Sequence, residues 1–561
     1  MNLRNFIKNH RLAVVFSILA GLVMVGPQLV FIRTLGSNYH GIYMLGTDAE
    51  THYLARMEEL YDGHFWGNPF LAEFKGKQYS PFWTPIELLL AIPGYIFGIG
   101  IADLNLIYKF ILPAVIFLLS YILVWRIVRD RWAGIAAGAL ITLGYNIMTA
   151  AGWLHLLKWD YIYSQFALYS RPINPEASVL IFLVFLNSCY SLWQKASWRG
   201  AILTGVIFGL SFYIYFFLWT FLSALIVLFL LVVIRDDRFK YFLGVFIVGL
   251  VIGIPALLFM AHVSQSSLFS PLAFVFGVMH NRSAHIGFLS IAVCFFLLLL
   301  WFKKVIDKSM LVFLSILMLT TVIVLVQNIV TNIKIQEGHY HWYFNVPIYA
   351  VIISVGLSKL LVKKPIIKNF FLGGLVVCSF LNGYLVQASS YYFNYPEYAP
   401  IQQAGPVFDW LSRYSVHDSI VLSNEQLSEL IPIYTHNNVF WNAYAIFYLI
   451  PIETIEQRLF YLLKLNDYYG AVDDTAMKHD LVAMSLIKTE INAIYGGDIV
   501  MVYPPGLAQR YLNFLKNFKS AKIPYGPDYI LIDQRTDHWN LSHIPVSLEF
   551  ENGPYQLYHL K

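Results

Sequence analysis

The chain is poor in charge and almost without cysteine. Asp, Glu, Lys and Arg make up 13% of its 561 residues, against roughly 25% in a soluble protein, so an ordinary water-soluble domain is excluded. The three cysteines, Cys189, Cys294 and Cys378, all fall inside apolar runs. That placement leaves no disulfide framework and no CxxC metal site. There is no block of like charge: the net charge of +5 is spread over short basic clusters, which excludes a nucleic-acid-binding surface. Neither a repeat of fixed period nor a low-complexity linker is present. After the basic start MNLRNFIKNHR no small-residue cleavage site appears, and Pro27 and Arg33 interrupt the run, so the first apolar stretch reads as an uncleaved span.

What fills the space left by charge is hydrophobic residue, 58% of the chain, with a mean hydropathy of +0.59. Aromatics reach 17%, which suits a large membrane–water boundary. Apolar runs long enough to cross a bilayer recur at about 12–32, 104–128, 133–150, 176–194, 199–215, 218–234, 240–261, 286–302, 309–328, 343–362 and 369–388, about eleven spans. The aromatic stretch Tyr213–Trp219 reads as the turn between two of them. The segment 85–101 is apolar but broken by Pro85, Glu87, Pro93, Gly94 and Gly98. If it lies on the outer face without crossing, the N-terminal Arg4, Lys8 and Arg11 and every later basic cluster share the cytoplasmic side. Those clusters are Arg129/Arg131, Lys195/Arg199, Arg235/Arg238/Lys240, Lys303/Lys304/Lys308 and Lys363/Lys364/Lys368. A crossing segment would put them all outside. The expected topology therefore has a cytoplasmic N-terminus, outer loops at 33–103, 151–175, 262–285 and 329–342, and an exoplasmic C-terminal domain, in the plasma membrane of the cell.

The composition changes near residue 393 to that of a soluble α/β domain. The expected divisions are a transmembrane domain over residues 1–388 and an exoplasmic α/β domain over residues 389–561. Helices are expected over Val407–Tyr414, after Asn424 as an N-cap, and over Ile452–Leu465. SIVL at 419–422 and YILID at 529–533 read as strands, and Glu551-Asn-Gly553 as a hairpin turn. The stretch 467–520 carries no clear signal.

The first strongly polar stretch after the N-terminus, Tyr43–Gly63, holds Asp48, Glu50, Glu58, Glu59 and Asp62. Two readings fit its start. Thr47-x-x-Glu50 is a capping box, and Asp48 is itself a good N-cap, opening an amphipathic interfacial helix with Tyr53, Met57, Leu60 and Tyr61 on one face and Gly63 as its C-cap. Alternatively, Asp48 is a base kept ionised by the helix N-terminus, able to take an acceptor proton or bind a divalent cation, with Glu50 as helper. Glu58, Glu59 and Asp62 read as the wet face and end of that helix.

Other outer loops supply further candidates. Asp160 lies in the loop 151–175, and Arg171 and Glu176 lie in SRPINPE, where Pro172 and Pro175 make an extended entry, Glu176 begins the next span and Arg171 has the planar fork suited to a phosphate. His280 and Arg282 sit in MHNRSAH, and His339 and His341 in QEGHYHWYFN beside Glu337. For the histidines, zinc binding, a phosphate or sugar contact and plain interfacial packing all remain open.

The first outer loop, with Asp48, Glu50 and Tyr53 ahead of Asp62-Gly63, then Asn68-Pro69-Phe70 and Ser80-Pro81-x-x-Thr84-Pro85, resembles the GT-C superfamily of membrane glycosyltransferases, such as protein O-mannosyltransferases and aminoarabinose transferases. The resemblance implies a GT-C-like polytopic α-helical membrane protein with interfacial helices in the first outer loop. It further implies a polyprenyl-phosphate-linked sugar donor and a protein, lipid or glycan acceptor. Asp48 is then the acceptor base or one ligand of a metal site. Glu50 helps it; Tyr53, Asp160, Arg171, Glu176, His280, Arg282, His339 and His341 are the substrate-contact candidates. The C-terminal domain lacks a WWDYG signature and any β-trefoil pattern, against an oligosaccharyltransferase or a eukaryotic O-mannosyltransferase. Two alternatives outside this class are a lipid or glycan flippase and a membrane anchor for a partner-binding domain. A flippase is expected to carry ionisable residues in mid-span and repeated halves.

Overall fold

The computed structural model describes residues 3–46, 49–65, 67–76, 85–161, 163–269, 273, 278–483, 506–518, 525–542 and 544–561. Asp48, the leading base candidate, and the Ser80–Thr84 motif lie outside the described residues.

Seven helical segments are long and apolar enough to cross a membrane: Ile7–Asn38, Ile101–Val128, Pro172–Gln194, Phe239–Val263, Lys308–Thr331, Glu337–Leu360 and Pro365–Tyr414. The protein is thus a polytopic α-helical membrane protein. In chain order the first helices are α1 (Leu3–Leu35), α2 (Glu50–Tyr61), α3 (Pro85–Phe97), α4 (Ile101–Val128), α5 (Arg131–Thr142), α6 (Ala150–Lys158), α7 (Ala177–Gln194), α8 (Trp198–Ser211), α9 (Phe216–Val232) and α10 (Phe239–Val263). Every one of the eleven expected spans coincides with a helix, but not every helix is long. The run read as 133–150 stops as α5 at Thr142 and resumes only as a 3-10 turn at Asn146–Met148. Gly144 sits at this break, where the last span approaches so closely that an added Cβ would meet Ser379 Oγ at 2.7 Å. Helices α8 and α10 pack closely because Gly205 and Gly209 admit Val248 and Ile252 while Gly249 and Gly253 admit Phe208 and Phe212, the small-residue spacing that lets two helices approach in lipid.

Helix α3, at 13 residues, is about 20 Å long and cannot cross a hydrocarbon core of roughly 30 Å. It buries Ile86, Glu87, Ala91 and Gly94 and leaves Leu89, Tyr95, Ile96 and Phe97 exposed, the pattern of a helix lying in the interface.

The last span runs as one helix from Pro365 to Ile401. The change in composition near 393 therefore falls inside a helix, whose exposed Tyr392 and Phe393 supply boundary aromatics. Beyond it lies a five-stranded sheet. Two-residue strands β1 (Met279–His280) and β2 (Ile333–Lys334) form a separate ribbon. The five are β3 (Ile420–Leu422), β4 (Asn438–Val439), β5 (Tyr529–Asp533), β6 (Val546–Asn552) and β7 (Tyr555–Leu560), in the order β4-β3-β5-β7-β6. Strand β3 pairs in parallel with β4 and β5, while β7 runs antiparallel to β5 and β6. All of β5 is buried, as expected for a central strand. The β6–β7 turn uses Gly553 at φ +58°. Asn424 caps Glu425–Tyr434, accepting from the Leu427 amide at 3.0 Å. In the stretch without signal, helices form at Asp474–Ala483 and Leu507–Asn517.

The sheet domain grips the loop that follows the first span. Arg458, 3% exposed at its side chain, reaches Glu73 at 2.5 Å and donates to the Phe440 carbonyl at 2.7 Å. Lys75 bridges Glu59 at 2.7 Å and Asp418 at 2.8 Å. The Val439 amide of β4 donates to the Phe70 carbonyl at 2.9 Å. Removing one member of such a buried pair strands the other. Arg458→Met should therefore lower the stability of the full chain by about 3 kcal/mol or more, read as the denaturant midpoint in detergent. A midpoint within error of wild type would show that the pair contributes nothing.

Candidate functional site

Helix α2 is not the lipid-surface helix that its pattern suggests. Glu50, Thr51, His52, Leu54, Ala55, Met57 and Glu59 are all buried, so it is covered on nearly every side. It lies between α3 and α4 below and Glu425–Tyr434 above, with Thr51 donating to Glu429 at 2.7 Å. Nor do Glu59 and Asp62 form a wet face. Glu59 is paired with Lys75 and stands 3.2 Å from His64, while Asp62 stands 3.4 Å from His417. Asp62 meets the sheet domain directly, and Glu59 is joined to it through Lys75, which also bridges Asp418.

Glu58, on the same helix, feels burial first and then the Asp62 and Glu59 carboxylates, which together push it up from 4.5 to about 8. A carboxyl raised on folding stabilises the folded state fully below its unfolded value and loses that contribution as pH rises through the folded value. Wild-type stability should therefore decline from about pH 5 to pH 8 more steeply than that of Glu58→Gln. Thermal midpoints in detergent across that range check this, and parallel curves would refute it.

The start of α2 is drawn downward. Its N-cap is Ala49, at φ 54°, with no side-chain cap bond. Glu50 does not close a capping box. Its carboxylate is 1% exposed and its Oε1 accepts from Lys109 Nζ at 2.5 Å and from Asn105 Nδ2 at 2.8 Å. Asn105 and Lys109 are one turn apart on α4, which is why both reach a single oxygen. Glu50 Oε2 has no hydrogen-bond partner among the described residues.

Facing this pair is the segment before α7. The segment Pro172–Glu176, where Pro172 and Pro175 are expected to make an extended entry, joins α7 through a wide turn in which Asn174 is extended at φ −150° and ψ 121°; Asn174, Glu176 and the preceding Arg171 are buried. Glu176 is 0% exposed and neither of its oxygens has a hydrogen-bond partner among the described residues, while Lys109, Glu50 and Arg171 all act on it electrostatically. Arg171 donates to the Asn174 carbonyl and, at 3.3 Å, to Tyr343 Oη, with its guanidinium 5.6 Å from the Tyr53 ring centre. Asn174 Nδ2 donates to Tyr53 Oη at 3.3 Å and Asn174 Oδ1 accepts from Ser178 at 3.0 Å. His339 extends the group: its ring stacks on Tyr343 at 5.2 Å and its Nδ1 meets Tyr215 Oη at 2.5 Å. Next to Tyr53, His52 is buried against Tyr444 and Tyr448. Burial, with Arg56 and Arg171 nearby, holds it well below its ordinary value, so it is neutral.

Thus Glu50, Tyr53, Arg171, Glu176 and His339 come together, from separate stretches of the chain. The other candidates are engaged elsewhere. Asp160 pairs with His155 at 2.9 Å on the surface. His280 lies in the β1–β2 ribbon and contacts the Asn332 carbonyl, and Arg282 donates to the Ile329 carbonyl at 3.0 Å. His341 packs on Trp342 and Tyr349. His339 and His341 sit two residues apart on helical backbone and so face different ways, which overturns a His-x-His ion site. Among the described residues no three His, Cys, Asp or Glu side chains gather as a metal site. Asp48, the residue expected to bind a divalent cation, lies outside the described residues.

Reading the sequence missed Asn105, Lys109, Asn174, Tyr215 and Tyr343. Lys109 carried a signal: a lysine inside an apolar run is a functional flag in itself.

No family model matches the sequence, and no curated protein matches it. Among solved structures, it is similar to the oligosaccharyltransferase of Archaeoglobus fulgidus tethered with an acceptor peptide. The two share 14% identity and a TM-score of 0.50, over 89% of this chain and 72% of that one. It is also similar to ArnT from Cupriavidus metallidurans bound to undecaprenyl phosphate, at 10% identity and TM-score 0.49 over 94% and 96%. A third is the arabinofuranosyltransferase AftD from Mycobacteria, at 12% identity and TM-score 0.48 over 99% and 40%. The chain is a GT-C-like membrane protein in fold.

Proposed function

We propose that this protein is an integral membrane glycosyltransferase that moves a sugar from a polyprenyl-phosphate-linked donor to a protein, lipid or glycan acceptor on the outer face. The observation that carries the reading is the gathering of Glu50, Tyr53, Arg171, Glu176 and His339 beneath α2, within a GT-C-like membrane fold. The acceptor oxygen or nitrogen attacks the anomeric carbon as the bond from that carbon to the phosphate oxygen breaks. The electron pair leaves on the phosphate, and the acceptor proton passes to Asp48. Arg171 meets the charge that grows on the departing phosphate, which needs charge stabilisation more than a proton. Tyr53 and Asn174 hold Arg171 and the edge of the sugar site. Asp160, His280, Arg282 and His341 fall outside this reading, because each is engaged elsewhere. The basic clusters between spans support a cytoplasmic N-terminus and a sheet domain on the outer side.

The test is transfer by the purified protein from a panel of radiolabelled polyprenyl-phosphate sugars, followed as label leaving the lipid phase. Donor turnover above that of heat-inactivated protein supports the assignment. No turnover with any donor, in the presence of membrane and envelope acceptor fractions, would overturn it.

A further inference from the structure

A buried lysine is the least economical way to hold two helices together. Replacing a buried ion pair with apolar side chains is often neutral or stabilising, so such a pair is weak evidence for stability. Lys109 is 2% exposed, inside the apolar helix α4, and spends its charge on Glu50 at 2.5 Å. Glu50 opens α2 and stands two positions after Asp48. Asn105, from the same face of α4, supplies a second donor to the same oxygen. Two donors hold Oε1, while the buried Oε2 has no hydrogen-bond partner among the described residues.

Resting on the glycosyltransferase reading, we propose that Lys109 is a positioning residue of the site: acting through Glu50, it sets the first turn of α2 and orients the carboxylate for the transfer reaction. It touches no substrate. Three features argue for this role over simple packing. The contact is charged where an apolar one would serve. It joins the membrane helices to the one helix that carries the polar first-loop motif. And it reaches one oxygen only, leaving the other available.

The test compares Lys109→Met, Lys109→Arg, Glu50→Gln and the double variant Glu50→Gln/Lys109→Met, with rates expressed per folded protein. Lys109→Met should lower kcat by about 100-fold while the donor KM stays within about threefold, because a misplaced group costs the transition state more than the ground state. Lys109→Arg should recover most of that loss. In the Glu50→Gln background Lys109→Met should cost less than about threefold further, the non-additivity of residues acting as one unit. Equal losses in both backgrounds, or full activity per folded Lys109→Met, would overturn the proposal. Hydrogen–deuterium exchange over residues 50–54 gives a readout independent of transfer. It should rise alike in Glu50→Gln and Lys109→Met and no further in the double variant. Unchanged exchange would sink the positioning role even if transfer were seen. The expected exchange pattern in a protein that transfers nothing would instead sink the glycosyltransferase reading.

Discussion

Asp48→Asn should cut sugar transfer by roughly 1,000-fold or more while the protein folds as wild type does. The substitution is chosen because it separates the two readings of the first-loop motif. Asn caps a helix N-terminus about as well as Asp, so if Asp48 serves only the backbone, the variant should be indistinguishable in rate and thermal midpoint. If Asp48 takes the acceptor proton, Asn supplies the same shape without a basic oxygen, and the loss falls on kcat. The surroundings favour the second outcome. The neighbouring Glu50, the other half of the sequence capping box, does not cap at all but is turned inward to Lys109 and Asn105. Transfer at wild-type rate by folded Asp48→Asn would remove the base from the proposed mechanism.

Much of the architecture was legible because membrane solvation leaves so few choices. In lipid every backbone polar group must be satisfied within a segment, so a long apolar run has to be a helix, and each of the eleven runs contains one. Where sequence and structure diverge, the cause is local. Gly144 and the residues around it end α5 early. Prolines at 172 and 175 look like an extended lead-in, yet the chain absorbs them in a wide turn joined to α7. The sheet domain was legible at β3, β5 and the β6–β7 hairpin, which carry local signals of burial or turn chemistry. Strand β4, at Asn438–Val439, carries none: its pairing with β3 is a tertiary contact.

The site was only half legible, for a different reason. Sequence periodicity distinguishes a buried face from a wet one, but it cannot say what buries the polar face. Glu59 and Asp62 sit where a helix in the interface would meet water, and Lys75, His64 and His417 meet them instead. Lys109 was hidden by the opposite habit. Charges near the ends of apolar runs read as topology signals, so one lysine a turn and a half inside the second long run attracted no role. Asp160, His280 and Arg282 were attractive because they carry the right groups on outer loops. Their partners are neighbours in the loops themselves.

Arg171→Met should cost roughly 1,000-fold in kcat, the scale of losing one preorganised donor aimed at developing charge, and Arg171→Lys should restore only a small fraction of it. The argument is geometric. The guanidinium is 8% exposed and fixed on two sides, by the Asn174 carbonyl through Nε and by Tyr343 Oη through Nη2, and it lies over the Tyr53 ring. A lysine ammonium keeps the charge but neither the fork nor the stacking surface, so it cannot satisfy these partners and a phosphate together. The position of the loss decides the role. A fall in kcat with donor KM little changed means that Arg171 meets charge present only as the phosphate leaves. A rise in KM alone would make it a binding contact felt equally by bound donor and transition state. Loss of folded protein in both variants, matched by Tyr343→Phe, would mean that the arginine serves the packing between α7 and the span beginning at Glu337, and the leaving phosphate would need another partner.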